Sequence, residues 1–160
     1  MTTIAYRDGI LAADTGVTAG RSRLGNVAKI ARREDGALAA VCGGAAFGFA
    51  FLTWFRDRSL SPAAPPPELK EDKDSMDAAA IFYPDGSIEL FEPQGRFPVE
   101  APYFARGSGR PEALGAMHHG ASAEEAIRAA MAHDDSTWGD VMLLTHEVAT
   151  EAVPLRVVKG

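Results

Sequence analysis

A chain of 160 residues suits one domain with room for a core two or three layers deep. Its 16 basic and 22 acidic side chains leave a net charge of −6 with no basic run, which argues against nucleic acid and anionic membrane as main partners. Cys42 is the only cysteine, so no disulfide framework forms within one chain, and neither a signal peptide nor a full membrane span is visible; a soluble cytoplasmic protein is expected.

The first eighteen residues organise the rest. A Thr2-Thr3 pair opens a short strand over residues 3–6, Asp8-Gly9 reverses the chain, and a second apolar strand over 10–13 ends on Asp14. With Met1 removed, Thr2 carries an α-amine and a hydroxyl together. An amine of pKa roughly 8 can act as base for a neighbouring hydroxyl, so one residue could supply nucleophile and base. Residues 15–23 read as a polar, glycine-punctuated loop, and residues 26–31 as a strand with Lys29 in its middle. Glu34-Asp35-Gly36 turns the chain into a buried strand over 37–42.

Gly43-Gly44 releases a helix over 45–58, where Phe47, Phe51, Trp54 and Phe55 recur at helical spacing and Phe49 and Leu52 widen the stripe. So much apolar surface predicts cover from the sheet below and from another subunit above. Residues 59–77 hold Pro62, Pro65, Pro66 and Pro67 and then a charged run, the composition of an exposed connection. Strands follow over 78–83 and 88–91 about a Pro84-Asp85-Gly86 turn, and three Asp-Gly reversals predict antiparallel sheets rather than βαβ units. A strand over 103–106 leads through Gly107-Ser108-Gly109 to a helix over 112–119, with Pro111 at its start. Ser122 and Glu125 form a capping box that opens a helix to about His133, and strands over 140–145 and 153–158 close the chain. The sum is two helical layers enclosing a pair of antiparallel sheets.

Singly, the polar residues are ordinary. His118, His119, His133 and His146 share no ligand spacing with acids or cysteine, so no catalytic metal is expected. Their combination carries more: a Thr-Thr start, an acid closing the first hairpin, a strand lysine, Gly-Gly before a helix and Gly-Ser-Gly before another. In Thr2-Thr3-Ile4, Gly25-Asn26-Val27-Ala28-Lys29, Gly43-Gly44-Ala45-Ala46 and Gly107-Ser108-Gly109, the chain resembles the proteasome β-subunit family of N-terminal nucleophile hydrolases, the HslV-type peptidases above all. The resemblance covers nearly the whole length.

It implies an α+β fold, a four-layer α/β/β/α sandwich of antiparallel sheets in one domain over residues 1–160. It implies a threonine endopeptidase needing no cofactor, a homo-oligomeric ring enclosing Thr2, a protein or peptide substrate and an AAA+ unfoldase as partner. Thr2 falls on the nucleophile, Asp14 on the acid that orients the site, and Lys29 on the lysine whose charge eases deprotonation. Ser108 matches the serine that bonds the terminal amine. Asp134 and Thr137 match a buttressing pair, with Asp135 and Ser136 competing for that register. The oxyanion donor falls on the backbone N–H of Ala40, where the family commonly has glycine. Two departures stand out: the first hairpin is shorter than in the HslV type, and the proline-rich connection replaces a second long helix. Residues 16–21, where the relatives' substrate lining begins, are small and polar and name no cleavage preference. Two other readings share the fold: a non-catalytic structural or assembly subunit, and an N-terminal nucleophile amidase acting on a small molecule.

Overall fold

Asp8 and Gly9 both take positive φ, 51° and 77°, as a two-residue hairpin turn matched to strand twist requires. They join β1 (Thr3–Arg7) to β2 (Ile10–Asp14), with Ile4 opposite Ala13 and Arg7 opposite Ile10. The structure, a computed structural model, describes residues 2–57, 64–73 and 76–147. Next come β3 (Gly16–Ala19) and β4 (Ser22–Asn26), which pair with each other in a sheet of their own. The loop expected over 15–23 is therefore a hairpin. Its residues are mostly exposed and build no core face, so the apolar alternation that betrays a strand is absent.

β5 (Ile30–Arg32) and β6 (Leu38–Cys42) follow, then α1 (Ala45–Asp57). The strand expected over 26–31 is thus split, with residues 27–29 crossing between sheets and Lys29 outside any strand. Beyond the connection lie β7 (Ala78–Phe82), β8 (Ile88–Glu92) and β9 (Gly95–Val99), the last of which the sequence reading missed. It is an exposed edge strand that tolerates Pro98, a residue a central strand would exclude. β10 (Tyr103–Gly107), α2 (Arg110–His118), α3 (Ala123–His133) and β11 (Val141–Thr145) complete the described elements. The strand expected over 153–158 lies outside the described residues.

The fold is α+β. One sheet runs β10-β1-β2-β11 and another β5-β6-β7-β8-β9, and every described strand pair is antiparallel. Three apolar clusters account for the packing. Ile4, Tyr6 and Leu11 of the first sheet meet Leu38, Phe82 and Leu90 of the second. The other face of the second sheet carries α1 through Phe47, Phe51 and Phe55, which rest on Ala39, Ala79 and Ile81. The other face of the first sheet carries α2 and α3, where Ala5, Ala12 and Ala105 admit Met117 and Ile127. Small sheet residues let the large ones approach, and filled contact of this kind is what makes a core stiff.

Two expectations about α1 and its connection change here. The aromatic stripe is covered within the chain: Phe51 and Phe55 are fully buried, and only Phe49, 74% exposed, points outward. The described residues of the connection are largely exposed but tethered, because buried Asp77 accepts from Gly44 N–H at 2.9 Å and from Lys70 N–H at 3.0 Å. Among the described residues no helix is long and apolar enough to cross a membrane.

The capping box of α3 is formed in both directions. Ser122 Oγ accepts from Glu125 N–H at 3.2 Å, and Glu125 Oε2 accepts from Ser122 N–H at 2.8 Å. Ser122→Ala is expected to cost about 1 kcal/mol, read as a lower urea midpoint at unchanged slope.

Candidate active site

Thr2 precedes β1 and is 6% exposed. Its carbonyl accepts from Ser108 N–H at 3.1 Å, which ties the chain start to the end of β10. Gly107 sits at φ 108°, and a Cβ there would lie 1.7 Å from the Thr2 carbonyl oxygen. Only glycine permits that approach.

Behind Thr2 the acid and the lysine meet. Asp14, at the end of β2 and wholly buried, accepts from Thr3 N–H at 2.8 Å through Oδ1. Its Oδ2 accepts from Lys29 Nζ at 2.8 Å and from Trp138 N–H at 3.4 Å. Lys29 Nζ also donates to the Gly16 carbonyl at 2.6 Å. Burial pulls the Lys29 ammonium below the ordinary lysine value, although the charge and hydrogen bond of Asp14 oppose the change. A buried ion pair is no stability device by default, so its presence here asks for a functional reason.

Asp134 and Thr137 close the opposite side. Thr137 O–H donates to Asp134 Oδ2 at 2.5 Å, which leaves the Thr137 oxygen as acceptor for Thr3 O–H at 2.6 Å. Thr3 Oγ1 accepts in turn from Gly109 N–H at 2.8 Å. Of the competing residues, Asp134 and Thr137 are the ones linked to Thr3 by these bonds, whereas Asp135 is exposed. Ser108 Oγ is buried without a partner of hydrogen-bond geometry among the described residues. It nevertheless lies close enough to Asp134 to act on that carboxyl. Burial pushes Asp134 up, but the Ser108 and Thr137 hydroxyls and the Ser136 amide prevail and hold it below the ordinary carboxylate value. A depressed carboxylate adds stability above its unfolded pKa and loses it as pH falls through the folded value. Asp134→Asn is therefore expected to remove part of the loss in Tm that the wild type shows below about pH 4. Parallel melts across the acid range check this.

Ala40 is the one expected residue that does not join the group. It lies in mid-β6, opposite Ile30 on one side and Ala80 on the other, and has no exposed surface. Val41 N–H points toward the β5 side, to the Lys29 carbonyl at 3.0 Å, so the Ala40 N–H faces β7 and belongs to the ladder. Gly43, at φ 105°, lines both cavities that Thr2 lines, and Asp77 occupies the space its Cβ would take. In sequence the Gly-Gly pair marks the helix start and one motif of the resemblance, and neither signal points to an oxyanion donor.

Two cavities meet at Thr2. One, of about 270 Å³, runs along the α1 face past Val41, Gly48 and Leu52 to Arg56. The other, of about 420 Å³, is walled by Glu71 and Lys73 of the connection and by Arg106 and Arg110. Cys42 borders both, but burial pushes its thiol up to about 12, so it is no rival nucleophile at neutral pH. Among the described residues no group of three or more His, Cys, Asp or Glu side chains could hold a metal ion.

No family model and no curated protein matches the chain. Solved structures do. Thiobacillus denitrificans BPH shares 21% identity over 94% of this chain and 99% of its own, with a TM-score of 0.63. Thiobacillus denitrificans BPH in complex with epoxomicin shares 21% identity over 92% and 99%, with a TM-score of 0.59. At that identity the likeness is one of fold.

Proposed function

We propose that this chain is a threonine peptidase of the N-terminal nucleophile class, with the four-layer α/β/β/α sandwich of the proteasome and HslV kind. The observation that carries the reading is the buried Asp14–Lys29 pair directly behind Thr2, with the buried Ser108 hydroxyl in the cavity beside Thr2. Once Met1 is removed, the Thr2 amine takes the proton of the Thr2 hydroxyl, directly or through water, and the oxygen attacks a peptide carbonyl. The Lys29 charge favours the developing alkoxide, and Ser108 orients the amine. A backbone N–H at Gly43, not Ala40, receives the oxyanion. The amine then passes its proton to the leaving nitrogen, an ester remains on Thr2, and water hydrolyses it.

The cavities on either side of Thr2 favour an extended chain over a compact small-molecule amide. A purely structural subunit would gain nothing from a desolvated lysine, which speaks against the non-catalytic alternative. A structural neighbour was solved in complex with epoxomicin, a second support from a protein of the same fold. By the same resemblance the protein forms a ring in the cytoplasm and works with an AAA+ unfoldase. Since the rest of the α1 aromatic stripe is covered internally, a ring contact falls to exposed residues such as Leu24 on β4 and Phe49 on α1. Light scattering at micromolar concentration is expected to give a multiple of the chain mass.

The direct test is a peptide epoxyketone. Its two adjacent electrophilic carbons suit a residue bearing amine and hydroxyl on neighbouring carbons. Digestion and mass mapping should place one adduct on Thr2. Labelling confined to another residue would remove the peptidase reading.

A further inference from the structure

The acceptors of Lys29 Nζ include the Asp14 carboxylate at 2.8 Å and the Gly16 carbonyl at 2.6 Å, and one residue touches the backing of both. Trp138 N–H reaches Asp14 Oδ2 at 3.4 Å, and the Trp138 carbonyl accepts from Gly16 N–H at 2.8 Å. The indole itself lies against Gly16: a Cβ at that position would meet ring atoms Cδ2 and Cε2 at 2.5 Å and the Trp138 carbonyl oxygen at 2.6 Å. Gly16 is thus a glycine because of Trp138, and its carbonyl is aimed by a ring that fills the space where a side chain would stand. The guanidinium of Arg23, on the exposed strand β4, lies 4.9 Å from the centroid of the same ring.

We propose that Trp138 is a positioning residue for Lys29, acting through the Gly16 carbonyl, and that Arg23 on the β3–β4 hairpin holds the indole in place. Neither side chain lines the two cavities that meet at Thr2. Trp138 Nε1 is buried without a hydrogen-bond partner among the described residues, so the donor is not what fixes the ring. A buried orphan donor carries a desolvation cost that a phenyl ring would avoid, so what this position uses is the area of the ring. The strand that begins at Gly16 pairs with the strand that carries Arg23, from Gly16 opposite Asn26 to Ala19 opposite Ser22. Displacing the hairpin therefore moves the carbonyl and the stacked cation together, and with them the ammonium behind Thr2.

This inference rests on the peptidase reading for its consequence, but its physical content is the seating of Lys29, which can be measured alone. The titratable and charged groups facing Lys29 are Asp14 from β2 and Cys42 from β6, with Arg56 of α1 in the same cavity. In protein labelled at the lysine ε-carbon, Trp138→Ala is expected to move the Lys29 titration upward by about one pH unit, as water replaces the ring. Epoxyketone labelling of Thr2 should slow about 10-fold in the same variant, and Trp138→Phe should restore most of both. Arg23→Ala, on an exposed strand and safe for the fold, should slow labelling by a smaller, two- to five-fold factor, with Arg23→Lys recovering part through its own cation–π contact. If Trp138→Ala does not fold, the Arg23 pair decides. A Lys29 titration unchanged in both alanine variants would overturn the proposal. A titration that moves in a protein whose Thr2 never labels would uphold the seating and remove the peptidase reading.

Discussion

Lys29→Ala is expected to slow acylation of Thr2 by about 10²–10⁴-fold, the range that one positioned charge or proton-transfer group supplies. The same change leaves Asp14 buried with a full negative charge and no cation, which costs about 3–5 kcal/mol. Lys29→Arg is not a rescue. The ammonium sits between two oxygens at 2.6 and 2.8 Å, and a planar guanidinium cannot occupy that point. Deleting both partners as an apolar pair does not help either, because Asp14 Oδ1 also holds Thr3 N–H, which would be orphaned. Labelling rates with a peptide epoxyketone, read beside urea melts, separate the two effects. Wild-type labelling in both variants would make Lys29 a buried structural lysine.

Gly107→Ala should be as severe for a different reason. The new methyl group would stand 1.7 Å from the Thr2 carbonyl oxygen, and the residue would be held at φ 108°. Backbone strain of about 1–3 kcal/mol adds to overpacking of similar size. Relief can come only by moving Thr2 or breaking its bond from Ser108, so the folded fraction should also fail to label. Gly20→Ala is the control, with φ 55° and nothing within 4 Å of the added carbon. It should cost about 1 kcal/mol and leave labelling intact. Equal effects in the two variants would show that φ, and not the close approach, is what Gly107 supplies.

The residues legible in sequence were those whose signal is local. Asp8-Gly9 fixed the first hairpin, Ser122 and Glu125 fixed the start of α3, and the phenylalanine spacing fixed α1. What the chain concealed depends on distant partners. β9 has no buried face to impose alternation, and β3–β4 stands clear of the core, so neither leaves a period in the sequence. Lys29 reads as a strand residue because Ala28 and Ile30 flank it, yet the chain is crossing between sheets at that point. Ala40 was assigned by position in a motif. The ladder bond of its neighbour, Val41 to the Lys29 carbonyl, turns the Ala40 N–H away, and Gly43 lines both cavities that Thr2 lines. Trp138 gave no signal at all, since its partners Asp14 and Gly16 lie more than a hundred positions earlier in the chain. That Asp134 and Thr137 link to Thr3 while Asp135 is exposed depends on Thr3 itself and could not be read without it.

The account stands on a free amine at Thr2. Intact mass of the protein that turns over a peptide substrate tests this most directly. The prediction is that turnover tracks the species lighter by one methionine residue, and that an epoxyketone adds only to that species. Full-rate cleavage by protein that still carries Met1 would contradict it, because the amine would then be tied up in a peptide bond and no base would stand beside the hydroxyl.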